Sequence, residues 1–440
     1  MGISDIDRIV LDGLNLRMKY GTGIATYGAN LARLLQKMHL DVDVVYDRRI
    51  VGKADRLKRE LSFFANLPRW RGGRFPGRLV SRIAEIVPWA IDVARSPEVA
   101  EIQQEIVIPR ETLPNHPDGA GVLSVSDLFR KASAKANLFG RPLYLRLPAG
   151  SALHLTSPVP IVAKNAPTIL TVHDIIPLRL PYAVNDPDFR FLKQLRVIAG
   201  RVNHIITVSE SAKQDLLRVI PLPPENITVT YQPVRPFEGF VREMAAEVVS
   251  RVYGLTPDEY FLFVGAIEPK KNLPRLIDAY LLSGAKRPLV IVGPDGWAVK
   301  EQLAPMQGRR AREKIRLLGY VHRILLTALL SQARALFFPS LYEGFGLPVV
   351  EAMQLGVPAI AGALGALPEI AGGAALLVDP FDVTAIARGI RQLDADSDLH
   401  TELRVAGLRN VTRFSDEACL DRLTSAYRAA GIRIPMQGDT

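Results

Sequence analysis

The sequence predicts an α/β protein built from two doubly wound domains, each with a parallel sheet between layers of helices. Two observations lead to this fold class. Short, continuously apolar runs alternate with helical stretches along nearly the whole chain, and strands that are apolar on both faces are typical of parallel sheets covered by helices. The chain also has 440 residues, which is too long for one core and indicates two domains of ordinary size.

The strand-like runs can be placed one by one. In the first half they include 8–13, 41–46, 105–108, 152–155, 168–173, 204–208 and 227–231. In the second half they include 260–265, 288–293, 314–319, 335–338, 358–361 and 375–378. Two helices are predicted most clearly, over 272–282 and 348–355, because Gly284 and Gly356 follow them as end signals.

A break in the pattern divides the chain. Residues 232–240 hold two prolines and a glycine after the last strand-like run of the first half, so we place the domain boundary there. The predicted domains are 1–235 and 236–415, with an amphipathic helix in 416–440 that packs back on the N-terminal domain. Residues from about 50 to 150 are poorly periodic and are interpreted as a basic insertion in the first domain.

Composition narrows the setting of the protein. A single cysteine, Cys419, excludes an intramolecular disulfide framework and fits a reducing compartment. No apolar run approaches the roughly 18–20 residues that span a bilayer, and the first residues lack the basic and apolar regions of a signal peptide. We therefore expect the protein in the cytoplasm.

The net charge of +10 is concentrated in one segment. Residues 48–82 carry eleven basic side chains against two acidic ones, with aromatic residues between them. Such a composition suits binding, through residues 48–89, to the anionic inner face of a membrane or to a lipid-linked acceptor. It also suits a solvated insertion. Nucleic acid is the least favoured partner, because no nucleic-acid-binding motif accompanies the charge.

The segment 343–351 is the most informative motif. It follows an apolar strand, contains Gly344 and Gly346, and has Pro348 where a helix begins. The free amides of such a helix start suit a diphosphate. Glu343 in the loop and Glu351 in the first helical turn stand on either side, able to accept hydrogen bonds from sugar hydroxyls.

Other polar residues follow predicted strands, where open α/β sheets bind ligands. Gly265 ends a strand and is followed by Lys270 and Lys271, whose charges suit a departing diphosphate. His173 ends another strand and is expected to line the cleft between the domains, donating to a sugar hydroxyl or stabilising developing charge. Gly21 and Gly23 form a further amide loop, a weaker signal.

Several other kinds of site lack support. No His/Cys cluster has the spacing of metal ligands, and Asp41 and Asp43 lie at the start of a strand, the wrong end for a site. The phosphate loops lack the Gly-x-x-x-x-Gly-Lys-Ser/Thr pattern of P-loop nucleotidases. We therefore expect no metal requirement and no bound cofactor.

With these motifs in view, the chain resembles the GT-B glycosyltransferases of the large retaining family 4, which includes bacterial mannosyltransferases of polysaccharide and lipopolysaccharide assembly. The matching segments are 21–24, 171–178, 208–215, 264–272 and 339–353. The last contains the glutamate-x7-glutamate signature of that family. The resemblance implies a GT-B fold, with two Rossmann-like domains that face a cleft.

The resemblance also implies roles for the motif residues. Glu343 would hold the donor sugar, Glu351 the ribose, and His173 would lie near the transferred sugar. Four loop residues would face the diphosphate, helped by two lysines: Gly344, Phe345, Gly346 and Leu347, with Lys271 and Lys270. The donor would be a nucleoside-diphosphate sugar, GDP-mannose as first choice with UDP-sugars next, and the acceptor a glycan or lipid-linked molecule.

The sequence leaves other functions open. A GT-B sugar-nucleotide epimerase would share the two domains and would also use carboxylates with a histidine. A glycan-assembly scaffold with an inactive nucleotide site is the non-enzymatic alternative, which the intact Glu343, Glu351, Lys271 and His173 disfavour.

Overall fold

The structure is a computed structural model that describes residues 6–18, 23–48, 60, 63, 97, 99–102, 113–183, 190–237 and 239–434. No helix within these ranges is both long enough and apolar enough to cross a membrane. The architecture is α/β, with two main parallel sheets, as the sequence predicts.

The first sheet is built from the N-terminal half of the chain. Its strands are β1 (Arg8–Asp12), β2 (Asp41–Tyr46), β3 (Ala100–Ile102), β4 (Gly121–Ser124), β6 (Ser151–Leu155), β8 (Thr168–Val172), β9 (His204–Thr207) and β10 (Ile227–Val229). Within the described residues it has eight strands in the order β10-β9-β8-β6-β1-β2-β4-β3. Neighbouring strands run parallel, except that β3 is antiparallel to β4. A separate parallel pair joins β5 (Leu143–Leu145) to β7 (Ile161–Ala163).

The second sheet is built from the C-terminal half. Its strands are β11 (Phe261–Val264), β12 (Leu289–Val292), β13 (Ile315–Gly319), β14 (Ala335–Phe338), β15 (Ala359–Gly362) and β16 (Leu376–Val378). The described strands lie in the order β13-β12-β11-β14-β15-β16, and all neighbours are parallel. Nearly every side chain of β11, β12 and β14 is buried, because helices cover both faces of the sheet.

The helices connect these strands and cover the sheets. Their bounds are α1 (Gly23–Lys37), α2 (Leu128–Phe139), α3 (Ile176–Arg179), α4 (Arg190–Ala199), α5 (Glu210–Val219), α6 (Arg242–Tyr253), α7 (Leu273–Ser283), α8 (Val299–Gln302), α9 (Arg309–Lys314), α10 (Arg323–Ser331), α11 (Leu347–Gln354), α12 (Leu367–Ala371), α13 (Val383–Ala395), α14 (Ser397–Asn410) and α15 (Asp416–Ala429).

Local sequence explains where several of these helices begin and end. Ser209, Asp382, Asp396 and Ser415 each precede a helix and accept hydrogen bonds from amides of its first turn, which satisfies donors that the helix itself leaves free. Helix α7 ends at Gly284, whose φ of 74° is the left-handed conformation that glycine adopts without strain.

Each main sheet has one point where the strand order reverses. Strands β2 and β4 extend from one side of β1, and β6, β8, β9 and β10 extend from the other. In the second sheet the reversal lies between β11 and β14. A crevice opens at the carboxyl ends of the strands at such a point, where doubly wound sheets bind ligands.

The last helix, α15, packs on the first sheet. It contacts β9 and β10, and its buried residues Cys419, Leu423, Ala426 and Tyr427 belong to the same apolar cluster as the β1 and α1 side chains. At its N-terminal end Asp416 pairs with Lys37 at 2.5 Å and with Arg33. Hydrogen bonds from Arg33 and Lys37 lower the pKa of Asp416 to about 2.

The segment from about 50 to 150 differs from the expected insertion. Strand β4 lies inside the first sheet beside β2, and α2 packs against α4, so the later part of the segment is integral to the domain. The predicted strand at 105–108 and the basic segment 48–89 lie outside the described residues, apart from Arg48, Glu60 and Phe63. The domain boundary at 235 stays a prediction.

Candidate active site at the facing strand ends

The loop between β14 and α11 is shaped by two glycines. Gly346 precedes the helix with a φ of 98°, and a Cβ there would lie 2.5 Å from a methyl carbon of Leu367. Helix α11 begins at Leu347, so Pro348 is its second residue and Glu351 lies in its second turn. The sequence-based placement of Pro348 at the first position and of Glu351 in the first turn was wrong by about one residue and one turn.

Gly344 brings this loop against the first sheet. A Cβ at this position would lie 2.2 Å from the carbonyl oxygen of His173 and 2.8 Å from Cβ of Asp174, closer than any side chain permits. Ser209 Oγ donates a hydrogen bond of 2.7 Å to the Gly344 carbonyl oxygen. The β14–α11 loop and the end of β8 therefore touch, backbone to backbone, only because residue 344 is glycine.

Lys271 and Glu343 form a nearly buried ion pair. Lys271 Nζ lies 2.5 Å from Glu343 Oε1, and their side chains are 12% and 10% exposed. The same ammonium lies over the ring of Phe338, 4.7 Å from its centre. Burial alone would raise the pKa of Glu343, but Lys271 and Lys270 lower it below the usual range of a carboxyl group. Glu343 is therefore an anion that accepts hydrogen bonds.

Lys270 adds a second cation. Its Nζ lies 3.4 Å from Glu268 Oε1, and its carbonyl oxygen accepts a hydrogen bond of 2.8 Å from the amide of Leu341. Burial opposes its charge, but Glu343 and Glu268 raise the pKa of Lys270 above its usual range. The segments that follow β11 and β14 are thus joined through their backbones, with two ammonium groups close enough to Glu343 to lower its pKa.

The backbones of neighbouring strand ends approach closely at Gly265. A Cβ at Gly293, which directly follows β12, would lie 1.8 Å from the Gly265 carbonyl oxygen. A Cβ at Gly265 would in turn lie 3.4 Å from the Lys271 side chain. An added Cβ at Gly265 would thus meet the Lys271 stem only at an ordinary contact distance, whereas one at Gly293 would collide with the Gly265 backbone.

His173 faces this loop from the end of β8. Its Nε2 lies 3.0 Å from the carbonyl oxygen of Thr156, and since a carbonyl only accepts, Nε2 carries the hydrogen. Burial lowers the pKa of His173 to about 4, although the bond to Thr156 opposes the shift. The neutral ring thus has Nδ1 as an acceptor, so at neutral pH His173 can accept a hydrogen bond there but cannot donate one from it, whereas the sequence-based expectation was a donor.

The sequence did not indicate the roles of the residues that support His173. Asp12 is fully buried and accepts a 2.8 Å hydrogen bond from Thr156 Oγ1 and a second one from the Thr156 amide, so it fixes the carbonyl that holds His173. Asp174 accepts from the Ile176 amide at 3.0 Å. Burial raises the pKa of Asp174 while Lys270 lowers it, which places Asp174 in the same charge cluster. Its position next to His173 at a strand end was the available signal.

Glu351 lies on the opposite side of the α11 start from Glu343 in sequence. Burial raises the pKa of Glu351 to about 7, with the charge of Arg323 on α10 working against the shift. A carboxyl group near its midpoint at neutral pH can respond to a ligand by losing its proton.

Two predicted ligand residues, Phe345 and Leu347, do not direct their side chains at the site, and a third, Gly21, lies outside the described residues. The Phe345 ring is buried and meets the Phe414 ring edge-on at 5.4 Å, and Leu347 packs against the same cluster, so each can offer a ligand only its backbone. Gly21 lies outside the described residues, whereas Gly23 begins α1 and accepts a 3.3 Å hydrogen bond from Gln232 Nε2.

Further polar contacts join the two sheets around Glu343. Glu369 at the start of α12 accepts from the first two amides of α5, at 2.9 Å and 3.0 Å, where the positive end of the helix dipole favours an anion. Tyr342 donates to Asp215, which also pairs with Arg179. The residues on either side of Glu343, Tyr342 and Gly344, therefore both bond to residues of the N-terminal half of the chain.

The described part of the chain offers no candidate metal site. No group of three or more His, Cys, Asp or Glu side chains lies there in an arrangement that could hold a metal ion.

Two family models match the chain. The glycosyl transferases group 1 model matches residues 249–409, which contain Gly265, both lysines, Glu343 and Glu351. The glycosyltransferase family 4 model matches residues 121–236, which contain His173. The first match spans all described strands of the second sheet, and the second spans the first sheet from β4 to β10.

Curated relatives are similar to a large part of the chain. O-antigen chain mannosyltransferase B of Escherichia coli is 33% identical over 268 residues, which are 59% of this chain and 70% of the relative. Serotype-specific mannosyltransferase WbdA of Escherichia coli is 31% identical over 271 residues, 58% of this chain but only 33% of that longer protein.

A solved structure extends the likeness to the whole fold. Sucrose-phosphate synthase from Thermosynechococcus elongatus matches with a TM-score of 0.64 and 18% identity, over 96% of this chain and 98% of that one. The predicted GT-B fold is thereby confirmed. Enzymes of the matched family take nucleotide sugars as donors. The chain belongs to the group 1, family 4 glycosyltransferases.

Proposed function

We propose that the protein is a retaining mannosyltransferase, which moves mannose from GDP-mannose to a glycan or lipid-linked acceptor in cell-surface polysaccharide synthesis. The relatives that are 33% and 31% identical are mannosyltransferases of O-antigen or serotype polysaccharide, which supports the sugar and the process. UDP-sugars are the next donors to test.

One observation carries the proposal. The Lys271–Glu343 pair lies at the start of α11, on the β14 side of the strand reversal, and Gly344 holds this loop against His173. A donor with its diphosphate at the α11 amides would have its sugar between Glu343 and His173. Cations and helix amides suit the diphosphate, and carboxylate and imidazole acceptors suit sugar hydroxyls.

The mechanism that fits these groups is attack from the face that the nucleotide leaves. The acceptor hydroxyl forms the new bond to the anomeric carbon as the bond to the diphosphate oxygen breaks, and the departing oxygen takes the acceptor's proton. Lys270, Lys271 and the α11 amides stabilise the leaving charge, and each good donor is worth roughly 3–4 kcal/mol. No metal takes part in this proposal.

The neutral state of His173 gives it a defined part. Its Nδ1 accepts a hydrogen bond from a donor-sugar hydroxyl and orients the ring, while Glu343 accepts from another hydroxyl. Contact between the two sheets at Gly344 closes this space and keeps out water that would hydrolyse the donor.

The setting of the reaction remains a proposal of the same kind. A cytoplasmic enzyme would meet its nucleotide sugar there, and the basic segment 48–89 would bring it to the inner face of an anionic membrane that carries lipid-linked acceptors.

The test is transfer from GDP-mannose to mannose-terminated oligosaccharides, with UDP-glucose as the competing donor. We expect an α-linked product by NMR and GDP release that depends on acceptor. Glu343→Gln and Lys271→Met should lose most activity, whereas Lys314→Met, which removes a lysine bonded to the Ala285 carbonyl, should not. A β-linked product, or a free sugar epimer as the only product, would refute the assignment.

A further inference from the structure

A chain of buried polar side chains leads from the last helix to His173. Tyr427 OH lies 2.6 Å from His154 Nδ1, and His154 Nε2 lies 2.8 Å from Thr171 Oγ1. Thr171 Oγ1 is 3.0 Å from Tyr27 OH. The Tyr27 ring then meets the His173 ring edge-on, with centres 4.7 Å apart and planes at 89°.

None of these groups reaches solvent. Tyr427, His154 and Thr171 are 0% exposed and Tyr27 is 1% exposed. They come from four separate elements, α15, β6, β8 and α1. A buried hydroxyl or imidazole without a partner is costly, so these four elements are held at the spacing that keeps every link made.

Because His154 is neutral, the direction of one of its two hydrogen bonds decides the direction of the other. Burial lowers the pKa of His154 to about 3, and nearby His173 adds to the shift, so the ring has one N–H and one bare nitrogen. If Tyr427 donates to Nδ1, Nε2–H donates to Thr171 Oγ1, which has two lone pairs and can also either donate to Tyr27 or accept from it. If instead Nδ1–H donates to Tyr427, Thr171 donates to Nε2 and Tyr27 donates to Thr171. In either order, the loss of one hydroxyl leaves the next group without its partner.

The Tyr427 end of this series of hydrogen bonds is connected to the C-terminal half of the molecule. Helix α15 begins directly after the turn 411–414, whose Phe414 ring packs at 5.4 Å on Phe345 of the β14–α11 loop. The position of Tyr427 therefore depends on how α15 packs on the first sheet. Tyr27, whose ring contacts His173, is the last residue in the series of hydrogen bonds that begins at Tyr427.

We propose that Tyr427, His154 and Thr171 are positioning residues, which fix the Tyr27 ring and through it the orientation of His173. The C-terminal helix then completes the His173 side of the site without touching any substrate. This inference rests on the proposed function only in that His173 acts on the donor sugar.

An isosteric pair at one position tests the chain. Thr171→Val keeps the shape and removes the hydroxyl, and Thr171→Ser restores it. Because small displacements of a reacting group are expensive, we expect Thr171→Val and Tyr427→Phe to lower kcat roughly tenfold with an unchanged KM for GDP-mannose, and Thr171→Ser to retain most of kcat. The matched control is Tyr280→Phe, a buried tyrosine whose OH donates to the Arg287 carbonyl at 2.7 Å.

A second readout needs no substrate. The ring-nitrogen NMR signals of the seven histidines can be assigned with His173→Gln and His154→Gln. We expect Thr171→Val and Tyr427→Phe to shift the His173 ring signals, and Tyr280→Phe to leave them in place. A wild-type enzyme that transfers no sugar would refute the proposed function, while these spectra still decide the inference.

Two results would overturn the inference. One is that Thr171→Val and Tyr427→Phe leave both kcat and the His173 ring signals as in the wild type. The other is that Thr171→Ser is as impaired as Thr171→Val, since the hydroxyl would then not be the group that matters.

Discussion

Replacing Lys271 by methionine removes the charge nearest to Glu343 and keeps most of the side-chain volume. The ammonium lies 2.5 Å from Glu343 Oε1, and both side chains are nearly buried. Removing one partner of a buried pair costs about 3–5 kcal/mol. Because Lys270 also lowers the pKa of Glu343, we expect the lower end of that range, about 3 kcal/mol.

The same change should act separately on catalysis. In the proposed mechanism the leaving diphosphate would lose one of two lysines, and the loss of one well-placed donor reduces kcat by roughly 10²–10³. Stability and catalysis can be separated with the double variant Lys271→Met/Glu343→Gln, which removes both charges. It should recover most of the lost stability, because no unpaired charge is left buried, while its activity stays low.

Thermal unfolding and steady-state transfer kinetics measure the two effects. For a domain of this size, about 3 kcal/mol corresponds to a fall in Tm of roughly 6–12 °C. The reasoning fails if Lys271→Met is as stable and as active as the wild type, or if the double variant is no more stable than the single one.

Three further perturbations follow from the geometry. Gly344→Ala would force its loop away from the His173 carbonyl, 2.2 Å from the added carbon, and should lower kcat at least roughly tenfold. Gly200→Ala, where nothing described lies within 4 Å, should have no effect. Equal kcat values for Gly344→Ala and the wild type would contradict the account. Because the pKa of Glu351 is raised to about 7, its ionised form grows with pH, so calorimetric affinity for GDP-mannose should rise between about pH 6 and pH 8; the rise should vanish in Glu351→Gln. Glu369→Ala should cost about 1 kcal/mol in urea unfolding by uncapping α5, and an unchanged midpoint would count against that contact.

Much of the fold could be predicted from the sequence because the strands are continuously apolar. Runs such as 168–173 and 335–338 are recognisable in isolation, and β8 and β14 lie there. The missed strands are short or weakly apolar: β4 begins at Gly121 and ends at Ser124, and β5, β7 and β3 have three residues each. Their pairing depends on neighbours far away in sequence.

That the candidate site residues would lie together was predictable for a similar reason. Glu343, Lys271 and Gly265 follow strands that meet at one point of strand-order reversal, and parallel strands bring their carboxyl ends to one edge. A motif does not reveal which way a side chain turns. The Phe345 ring is buried against the ring of Phe414, which lies far from it in sequence.

Other features depend on contacts between elements that lie apart in sequence, which sequence patterns do not encode. The acceptor character of His173 follows from its contact with the Thr156 carbonyl, and that carbonyl is fixed by buried Asp12. The bonds from the α5 amides to Glu369 join residues 158 and 159 positions apart. Only the assembled fold brings these groups together.

Calorimetric titration with GDP, UDP and ADP tests the central claim most directly, namely that the amides before α11 and the flanking lysines bind a nucleoside diphosphate. The account predicts saturable one-site binding of at least one of them, weakened at least roughly tenfold by Lys271→Met. Absence of binding by all three, or equal binding to the wild type and Lys271→Met, would contradict it.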